Sequence, residues 1–369
     1  MRILLTGGGT GGHTYPLIAV SQQLRIVSQR NNLPLELFYL GVDGFSQKEL
    51  SNIGVRPYFI FSLKLRRYFS LKTIWDFIKT PFGFCQILFW LYRLMPDVIF
   101  SKGGPASFFV VFAGWLYRIP VVIHESDTVA GLNNRLSGRF VKKVFIAFDG
   151  AKSYFPLRKT ITIGNPLRQG IFQIDQTAAY NFFKVQTTIP VVLIAGGSQG
   201  AQFINERIRP ILSELSQKYQ IIHICGQNNY DAYQGQINQE KGLNLTNYHL
   251  CGSLDESQIF AAYSIANLVV ARSGAGTIFE LAYLAKPSIL IPLPDAAGDH
   301  QKINAYEYSQ NGAAIVLEQP NLTENVLLQR IKALLDDPER LSRMSQAAKQ
   351  FAKPEAALKI AQEILQYAT

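Results

Sequence analysis

Short apolar runs, each followed by glycine or polar residues, recur through the first half of the chain. They fall at residues 3–5, 35–40, 97–100, 120–123 and 143–146. Between the first two runs, apolar residues at helical spacing predict a helix that opens at Pro16, because proline suits the first helical position. These apolar residues are Leu17, Val20, Leu24 and Val27. With a further helix expected near residues 47–53, the alternation predicts a parallel, doubly wound α/β sheet.

The same opening pattern returns in the second half. An apolar run at residues 189–195 precedes a glycine-rich turn at 196–201 and a helix from Asn205 onward. A third glycine turn, at residues 272–277, follows the apolar run 267–271. Two strand–glycine–helix units about 190 residues apart predict two Rossmann-like domains. We expect a first domain over 1–165, a second over 166–350, and a last helix within 351–369 that returns towards the first domain.

Charge divides unevenly between the two halves. The chain of 369 residues has a net charge of +10, and residues 1–165 hold 20 Lys and Arg against 8 Asp and Glu, while the remainder holds 16 against 18. An acidic partner for the first half is therefore expected, and the charge alone leaves nucleic acid and an anionic membrane open. An ordinary solvated basic surface is the third possibility.

Cysteine and apolar content narrow the class of protein. The three cysteines are widely spaced without a C-x-x-C pair, which argues against a disulfide framework or zinc site and suits a reducing cytosol. The N-terminus lacks the pattern of a signal peptide. The longest apolar stretch, 106–117, is too short to span a bilayer, so we expect a soluble or peripheral protein.

Residues 61–95 interleave cations with large aromatic and apolar side chains. The cations are Lys64, Arg66, Arg67, Lys72, Lys79 and Arg93, and the aromatic residues are Phe61, Tyr68, Phe69, Trp75, Phe77, Phe82, Phe84, Phe89, Trp90 and Tyr92. This pattern favours contact with an anionic membrane surface, with rings at the headgroup boundary and cations on acidic lipid. The alternative is that the rings belong to the core and the cations to an exposed face.

The stretch Gly7–Gly12 with His13 carries the most distinctive chemistry. Glycines allow backbone N–H groups to approach a ligand closely, and a following helix directs its positive end at the same place, so the turn predicts a phosphate or pyrophosphate site. A tight turn without a ligand is the alternative. A dinucleotide site fits poorly, because the nearest acid for a ribose, Asp43, lies 31 residues past Gly12. Neither a Walker A motif nor metal-ligand spacing is present.

Six motifs, in order along nearly the whole chain, resemble those of the MurG family. They are residues 8–13, His124-Glu125 with 130–132, 164–168, 196–201, 272–275 with Glu280, and 300–305. The resemblance implies two α/β domains of the GT-B architecture facing a central cleft. It also implies an inverting glycosyltransferase of peptidoglycan synthesis, which moves N-acetylglucosamine from UDP-N-acetylglucosamine to the C4 hydroxyl of undecaprenyl-pyrophosphoryl-N-acetylmuramyl-pentapeptide. A peripheral enzyme at the cytoplasmic face of the membrane, with no cofactor, no metal and no nucleic-acid partner, is the expectation.

Site residues follow from the resemblance position by position. Thr10, Gly11 and Gly12 would contact the donor and phosphate, Arg168 and Ser198 the diphosphate, and the Leu254 backbone the uracil. The nucleotide would be lined by Ala275, Gly276, Thr277, Ile278 and Phe279. Glu280 would accept the ribose hydroxyls, and Gln301, with His300 and Asn304, would bind the donor sugar.

Several readings stay open. Thr277-x-x-Glu280 is also a capping box, in which Glu280 would only satisfy a helix end. His13, kept neutral beside a helix N-terminus, is a candidate general base, and Glu125 is its rival. Asp127 stands where the family usually has Asn and would either face a sugar hydroxyl or weaken the donor contact.

Pro105 replaces an aromatic residue that is often found in the family, which puts that part of the acceptor site in question. Three other functions remain: a UDP-N-acetylglucosamine 2-epimerase, a nicotinamide dehydrogenase, and a membrane scaffold with an inactive nucleotide site.

Overall fold

The computed structural model describes residues 1–9, 11–42, 44–61, 71–104, 106–196, 201–239, 244–294 and 296–368, with the backbone alone at 71–79 and 297. The chain divides into two compact units. One comprises Met1–Arg168 with Lys353–Thr369, and the other comprises Gln169–Ala352.

The first unit is built on a parallel sheet, with seven strands among the described residues in the order β3-β2-β1-β4-β5-β6-β7. The strands are β1 (Arg2–Thr6), β2 (Glu36–Gly41), β3 (Arg56–Phe59), β4 (Val98–Ser101), β5 (Val121–Glu125), β6 (Lys143–Ile146) and β7 (Thr160–Thr162). The helices up to residue 168 are α1 (Gly11–Arg30), α2 (Gly44–Asn52), α3 (Leu71–Leu94), α4 (Ser107–Leu116) and α5 (Leu132–Ser137). Because helices cover both faces, the central strands are continuous apolar runs.

The second unit repeats this plan, with six described parallel strands in the order β10-β9-β8-β11-β12-β13. The strands are β8 (Val191–Ala195), β9 (Gln220–Ile224), β10 (Tyr248–Cys251), β11 (Leu268–Ala271), β12 (Ser288–Leu290) and β13 (Ala314–Val316). Its helices are α6 (Gln176–Phe183), α7 (Gln202–Ile208), α8 (Leu212–Ser216), α9 (Tyr230–Ile237), α10 (Glu256–Ile265), α11 (Ala275–Tyr283), α12 (His300–Gln310), α13 (Glu324–Leu335) and α14 (Pro338–Phe351). The predicted class of two parallel-sheet α/β domains is confirmed.

The last helix, α15 (Ala356–Ala368), belongs to the first unit. It packs along α1, and its buried residues Ile360 and Ile364 join the core that contains Leu5 and Leu17. Burying an isoleucine side chain stabilises a fold by roughly 1.5–3 kcal/mol, so this contact is a substantial part of the first unit's core.

The predicted start of α1 was wrong. The helix begins at Gly11, and Pro16 lies inside it rather than at its first position. Since proline has no N–H, the carbonyl of Gly12 receives no helical hydrogen bond from residue 16. The glycine pair at 11 and 12, which reads as part of the turn, therefore forms the first turn of the helix and brings His13 into it.

Strand register sets which loops meet at the carboxyl edge of the first sheet. Thr6 on β1 pairs with Ser101 on β4, and Ser101 pairs in turn with Ile123 on β5. Consequently Gly7, Lys102 and His124, each one residue further along the chain, lie at the same level of this edge. β5 also runs two residues further than expected, so that His124 and Glu125 lie on the strand itself.

Candidate functional site

Two glycine turns are in close contact at the carboxyl edge of the first sheet. Gly7, Gly8 and Gly9 after β1 have φ of 140°, 128° and 99°, and Gly103 and Gly104 after β4 have φ of 82° and 95°. A Cβ on Gly104 would overlap the carbonyl oxygen of Gly8, and one on Gly7 would lie 2.9 Å from the oxygen of Gly103. Side chains are therefore excluded here, and main-chain groups line the turn.

His13 lies in the first turn of α1, half-buried, beside the second glycine turn. Its Nδ1 is 3.3 Å from the main-chain oxygen of Lys102. A carbonyl oxygen only accepts hydrogen bonds, so in neutral His13 this network assigns the proton to Nδ1 and the lone pair to Nε2. That tautomer is the one that a general base acting through Nε2 needs.

Glu125 is 5% exposed and anchors the loop that follows β5. Its Oε1 accepts the N–H of Asp127 at 3.1 Å, and its Oε2 accepts the N–H of Gly131 at 2.9 Å and Nδ2 of Asn134 at 3.0 Å. Hydrogen bonds to an ionised acceptor contribute about 1.5–3 kcal/mol each. The carboxylate therefore ties Asp127, Gly131 and Asn134 to the end of β5.

Lys102 is not among the predicted site residues. It is fully buried, and its Nζ has no hydrogen-bond partner among the described residues. Burial lowers the pKa of the ammonium, while the negative charges of Glu125 and Asp127 act in the opposite direction. A lysine directly after a buried strand was the only sequence signal, and it does not tell whether the side chain reaches water.

His124 is buried beside Lys102 and is kept neutral. Burial, followed by the positive charge of Lys102, lowers the pKa of His124 well below its ordinary value. Its Nε2 donates to the carbonyl oxygen of Gly164 at 2.9 Å, and its Nδ1 has no partner among the described residues. A buried proton acceptor thus lies close to the Lys102 cation.

Arg168 closes the first unit with its guanidinium 4.9 Å from the centroid of the Tyr15 ring on α1. Cation–π stacking of this kind holds the planar guanidinium against the aromatic ring. Arg168, His13, Glu125 and Asp127 all belong to the first unit. Thr10 and Pro105 lie outside the described residues.

In the second unit, Gly196 directly after β8 lies against Ala201. A Cβ on Gly196 would lie 2.7 Å from Cβ of Ala201 and would also overlap its main-chain nitrogen, so only glycine fits at this position. Gly197–Gly200, including Ser198, lie outside the described residues.

The start of α11 is open to ligands. Gly274 is its N-cap with no side-chain cap, and a Cβ on Gly274 or Gly276 would meet nothing within 4 Å. Thr277 is inside the helix rather than at its cap, so the capping-box reading of Thr277 and Glu280 is wrong. The uncapped N–H groups of the first turn form the kind of end that binds phosphate.

Residues further along α11 differ in whether their side chains could contact a ligand. Ile278 and Phe279 are buried in the core, so only their main chain could line a ligand. Glu280 is 8% exposed and lies inside α11, well past the N-cap Gly274.

Residues at the start of α12 are tied to the turn after β11. Ser273 Oγ donates to the main-chain oxygen of Gln301 at 2.8 Å. Asn304 is fully buried, and its Nδ2 donates to the main-chain oxygen of Ser273 at 3.5 Å. Gln301 Oε1 accepts the N–H of Leu293 at 3.1 Å. Asn304 therefore supports the turn, while Gln301 and the half-buried His300 lie nearer the surface.

A cavity of about 400 Å³ lies beside β10, the edge strand of the second sheet. Leu254 lines it, together with Gly252, Ser253, Tyr230 and Phe182. Apolar and polar side chains both line it.

Among the described residues, no group of His, Cys, Asp and Glu side chains is arranged so that it could hold a metal ion. No helix in the described part of the chain combines the length and the apolar character that crossing a membrane requires.

Comparison with known proteins identifies the family. Residues 3–146 match the glycosyltransferase family 28 N-terminal domain, and residues 191–360 match its C-terminal domain. A Bacillus anthracis protein named UDP-N-acetylglucosamine--N-acetylmuramyl-(pentapeptide) pyrophosphoryl-undecaprenol N-acetylglucosamine transferase 2 is 37% identical over 92% of this chain and 92% of its own. A transferase of the same name from Natranaerobius thermophilus, without the final numeral, is 35% identical over 98% of both chains.

Among solved structures, MurG of Acinetobacter baumannii superimposes with a TM-score of 0.77 and 28% identity, over 99% of both chains. The two domain matches together with the nearly full-length relatives extend over both units. The chain therefore belongs to glycosyltransferase family 28 and, within it, to the MurG family of N-acetylglucosamine transferases.

Proposed function

We propose that this chain transfers N-acetylglucosamine from UDP-N-acetylglucosamine to the C4 hydroxyl of undecaprenyl-pyrophosphoryl-N-acetylmuramyl-pentapeptide, with inversion to a β-1,4 linkage. The observation that carries this proposal is the nearly full-length match to transferases of that name. The enzyme is a glycosyltransferase of peptidoglycan synthesis, and the lipid acceptor is its second substrate.

The donor binds to the second unit in this proposal. The open first turn of α11, at Ala275, Gly276 and Thr277, offers N–H groups to the nucleotide phosphate. Glu280 accepts the ribose hydroxyls, and Leu254 addresses uracil at the cavity beside β10. Gln301, with His300 nearby, binds the sugar, and Ser198 remains assigned to the diphosphate by family resemblance alone.

The acceptor binds to the first unit, and His13 is the general base. His13 suits this role better than Glu125, because the Lys102 carbonyl leaves its Nε2 with the lone pair. Glu125 already accepts three N–H groups and serves to hold the loop. Negative charge on the departing UDP is balanced by Arg168 and by helix N-terminal N–H groups, including Gly11 and Gly12.

Membrane contact is proposed through the aromatic face of α3 and the end of α4. Phe82, Phe89 and Tyr92 on α3 are 72%, 56% and 72% exposed. Trp115, Leu116 and Tyr117 are also exposed, with Arg93 and Arg118 nearby in the chain. Exposed rings near cations in the chain suit the headgroup region of an anionic membrane, which supports a peripheral protein. The cytoplasmic face is part of the proposal through family resemblance alone.

Other aromatic residues of this segment are partly buried, as the alternative reading expected. Phe84 packs against Phe109 and Phe112, and Trp90 packs against Tyr58. Of the earlier membrane candidates, residues 62–70 and the side chains of 71–79 lie outside the described part of the chain.

Incubation with radiolabelled UDP-N-acetylglucosamine and the purified lipid acceptor tests the function. We expect a labelled disaccharide lipid whose formation depends on both substrates. Release of free sugar or an epimerised nucleotide without lipid product would contradict the proposal.

A further inference from the structure

Arg168 is half-buried at the end of the first unit, and the main chain that leads to it is buried. His124 Nε2 donates to the main-chain oxygen of Gly164 at 2.9 Å. Ser126 Oγ donates to Oδ1 of Asn165 at 2.5 Å. The segment before the arginine is therefore tied to the end of β5, and the place of the guanidinium depends on what its own side chain contacts.

The ring of Tyr15 lies against this guanidinium, with Cζ of Arg168 4.9 Å from the ring centroid. A guanidinium over the face of a tyrosine is attracted by the negative face of the ring. Tyr15 is half-buried and packs edge-on against Phe45, with the two ring centroids 6.4 Å apart. Phe45 therefore limits the movement of the ring on which the arginine lies.

The tyrosine ring also lies beside the first turn of α1. A Cβ on Gly11 would lie 3.0 Å from Cε2 of Tyr15, so the ring borders the residue that opens the helix. Side chains on a helix point back towards its N-terminus, which explains how Tyr15, one turn further on, reaches Gly11. The stack therefore brings the cation of Arg168 towards the start of α1.

A cation at the start of a helix is poorly placed unless an anion binds there. The N-terminal end of a helix has a partial positive charge, and cations are favoured at the opposite end. Arg168 and the first turn of α1 therefore repel each other unless a negative group lies between them. A diphosphate suits this arrangement, because an arginine fork and main-chain N–H groups both donate to phosphate oxygens.

We propose that Tyr15 is a positioning residue for Arg168 in the binding of UDP. Its ring holds the guanidinium beside the first turn of α1, so that Arg168 and the N–H groups of Gly11 and Gly12 act on the same diphosphate. Tyr15 acts through the arginine and not on the nucleotide itself. The inference rests on the proposed transferase function.

A double-mutant cycle with UDP as the ligand tests this role. Tyr15→Leu removes the ring, and we expect it to raise the Kd for UDP, measured by calorimetry, about three- to tenfold, the range of a cation–π contact. Arg168→Met should raise the Kd further. The double variant should bind UDP no more weakly than Arg168→Met, because Tyr15 acts only through Arg168. Tyr15→Phe keeps the ring and should bind UDP as wild type does.

Trifluorophenylalanine in place of Tyr15 separates the electrostatic role of the ring from its packing. It keeps the shape of the ring and removes most of the negative charge of the ring face. It should weaken UDP binding towards the level of Tyr15→Leu, which a purely structural role of the ring would not produce. This variant decides the question if Tyr15→Leu fails to fold.

Tyr154→Leu is the matched control. Cζ of Arg135 lies 5.0 Å from the centroid of the Tyr154 ring in the same unit, so the substitution removes a stack of the same kind. This second stack joins α5 to the segment after β6 and involves no residue of α1. The control should leave the Kd for UDP unchanged.

Wild-type affinity for UDP in Tyr15→Leu or in the fluorinated variant would overturn the inference, as would a double variant that shows both losses in full. UDP binding is measured without the lipid acceptor, so the role of Tyr15 is judged even if wild type forms no lipid product and the proposed function fails. Absence of UDP binding by wild type would itself overturn the role assigned to Tyr15.

Discussion

The imidazole Nδ1 of His13 and the main-chain oxygen of Lys102 lie 3.3 Å apart, so a loop carbonyl selects the tautomer of a half-buried histidine. We expect His13→Ala to lower kcat by about 10²–10⁴-fold, the usual contribution of a general base, with little change in donor KM. His13→Asn keeps a donor for the Lys102 carbonyl but supplies no base, so it should lose as much. Initial rates with the lipid acceptor measure both variants, and near wild-type turnover in His13→Asn would remove the histidine as base.

Glu125→Gln should reduce stability as well as activity. An amide has one accepting oxygen, and its NH₂ would face the donors on Gly131 and Asn134. Leaving buried donors unpaired costs about 1–3 kcal/mol, and we expect a loss of that order in the free energy of unfolding by urea. Glu363→Gln on α15, whose carboxylate forms a 3.6 Å ion pair with Lys143, serves as the control. Equal stability of Glu125→Gln and wild type would show that the carboxylate does not organise the loop.

Replacing Phe82, Phe89 and Tyr92 together by Ser should weaken binding to anionic liposomes at least about tenfold, because three exposed rings would no longer enter the headgroup region. Transfer to a detergent-solubilised acceptor should change little. Cosedimentation with phosphatidylglycerol vesicles measures the binding. Leu157→Ser, at an apolar side chain 73% exposed in the same unit, is the control. Undiminished vesicle binding of the triple variant would place the membrane contact elsewhere.

His223 makes the stability of the second unit depend on pH. It is buried between Tyr248 and Asn205, with ring nitrogens 2.9 and 3.0 Å from their side-chain oxygens, and burial lowers its pKa from 6.5 to about 3. Between about pH 6.5 and pH 3, His223 therefore binds a proton in the unfolded chain but stays neutral in the folded chain. Stability from this group is complete above pH 6.5 and is lost as the pH falls towards 3, by about 2 kcal/mol at pH 5.

Urea unfolding of wild type and His223→Gln between pH 5 and 7.5 measures this effect. The free energy of unfolding of the variant should depend less steeply on pH, because the contribution of His223 is removed. The contribution of His124 remains in both proteins. Identical slopes would mean that His223 is not kept neutral by the fold.

The strands were the most predictable part of this molecule. The run predicted at residues 143–146 is the observed β6, because a parallel strand covered on both faces must be apolar throughout. The start of α1 was misplaced because glycine and proline are poor helix formers, yet Gly11 and Pro16 lie in one helix.

Site chemistry was predictable only in part. The glycine turns and His13 can be recognised in the sequence. The tautomer of His13 cannot, because it depends on the Lys102 carbonyl, and the pairing of β1 with β4 brings that carbonyl close to His13. A lysine side chain in a sequence gives no sign of burial, so Lys102 could not be distinguished from a surface cation. For Glu280, the sequence suggested a role in a capping box with Thr277. The observed start of α11, with Gly274 as the N-cap, excludes that role.

The return of α15 to α1 means that the polypeptide enters the second unit once, after Arg168, and leaves it once, before Lys353. In its connectivity, the second unit is an insertion within the first. During synthesis on the ribosome, the first unit lacks Ile360 and Ile364 until the second has already been made. The core beneath the glycine turns and His13 is thus completed last, when α15 packs against α1. A chain that is truncated within the second unit therefore has a first unit with an incomplete core.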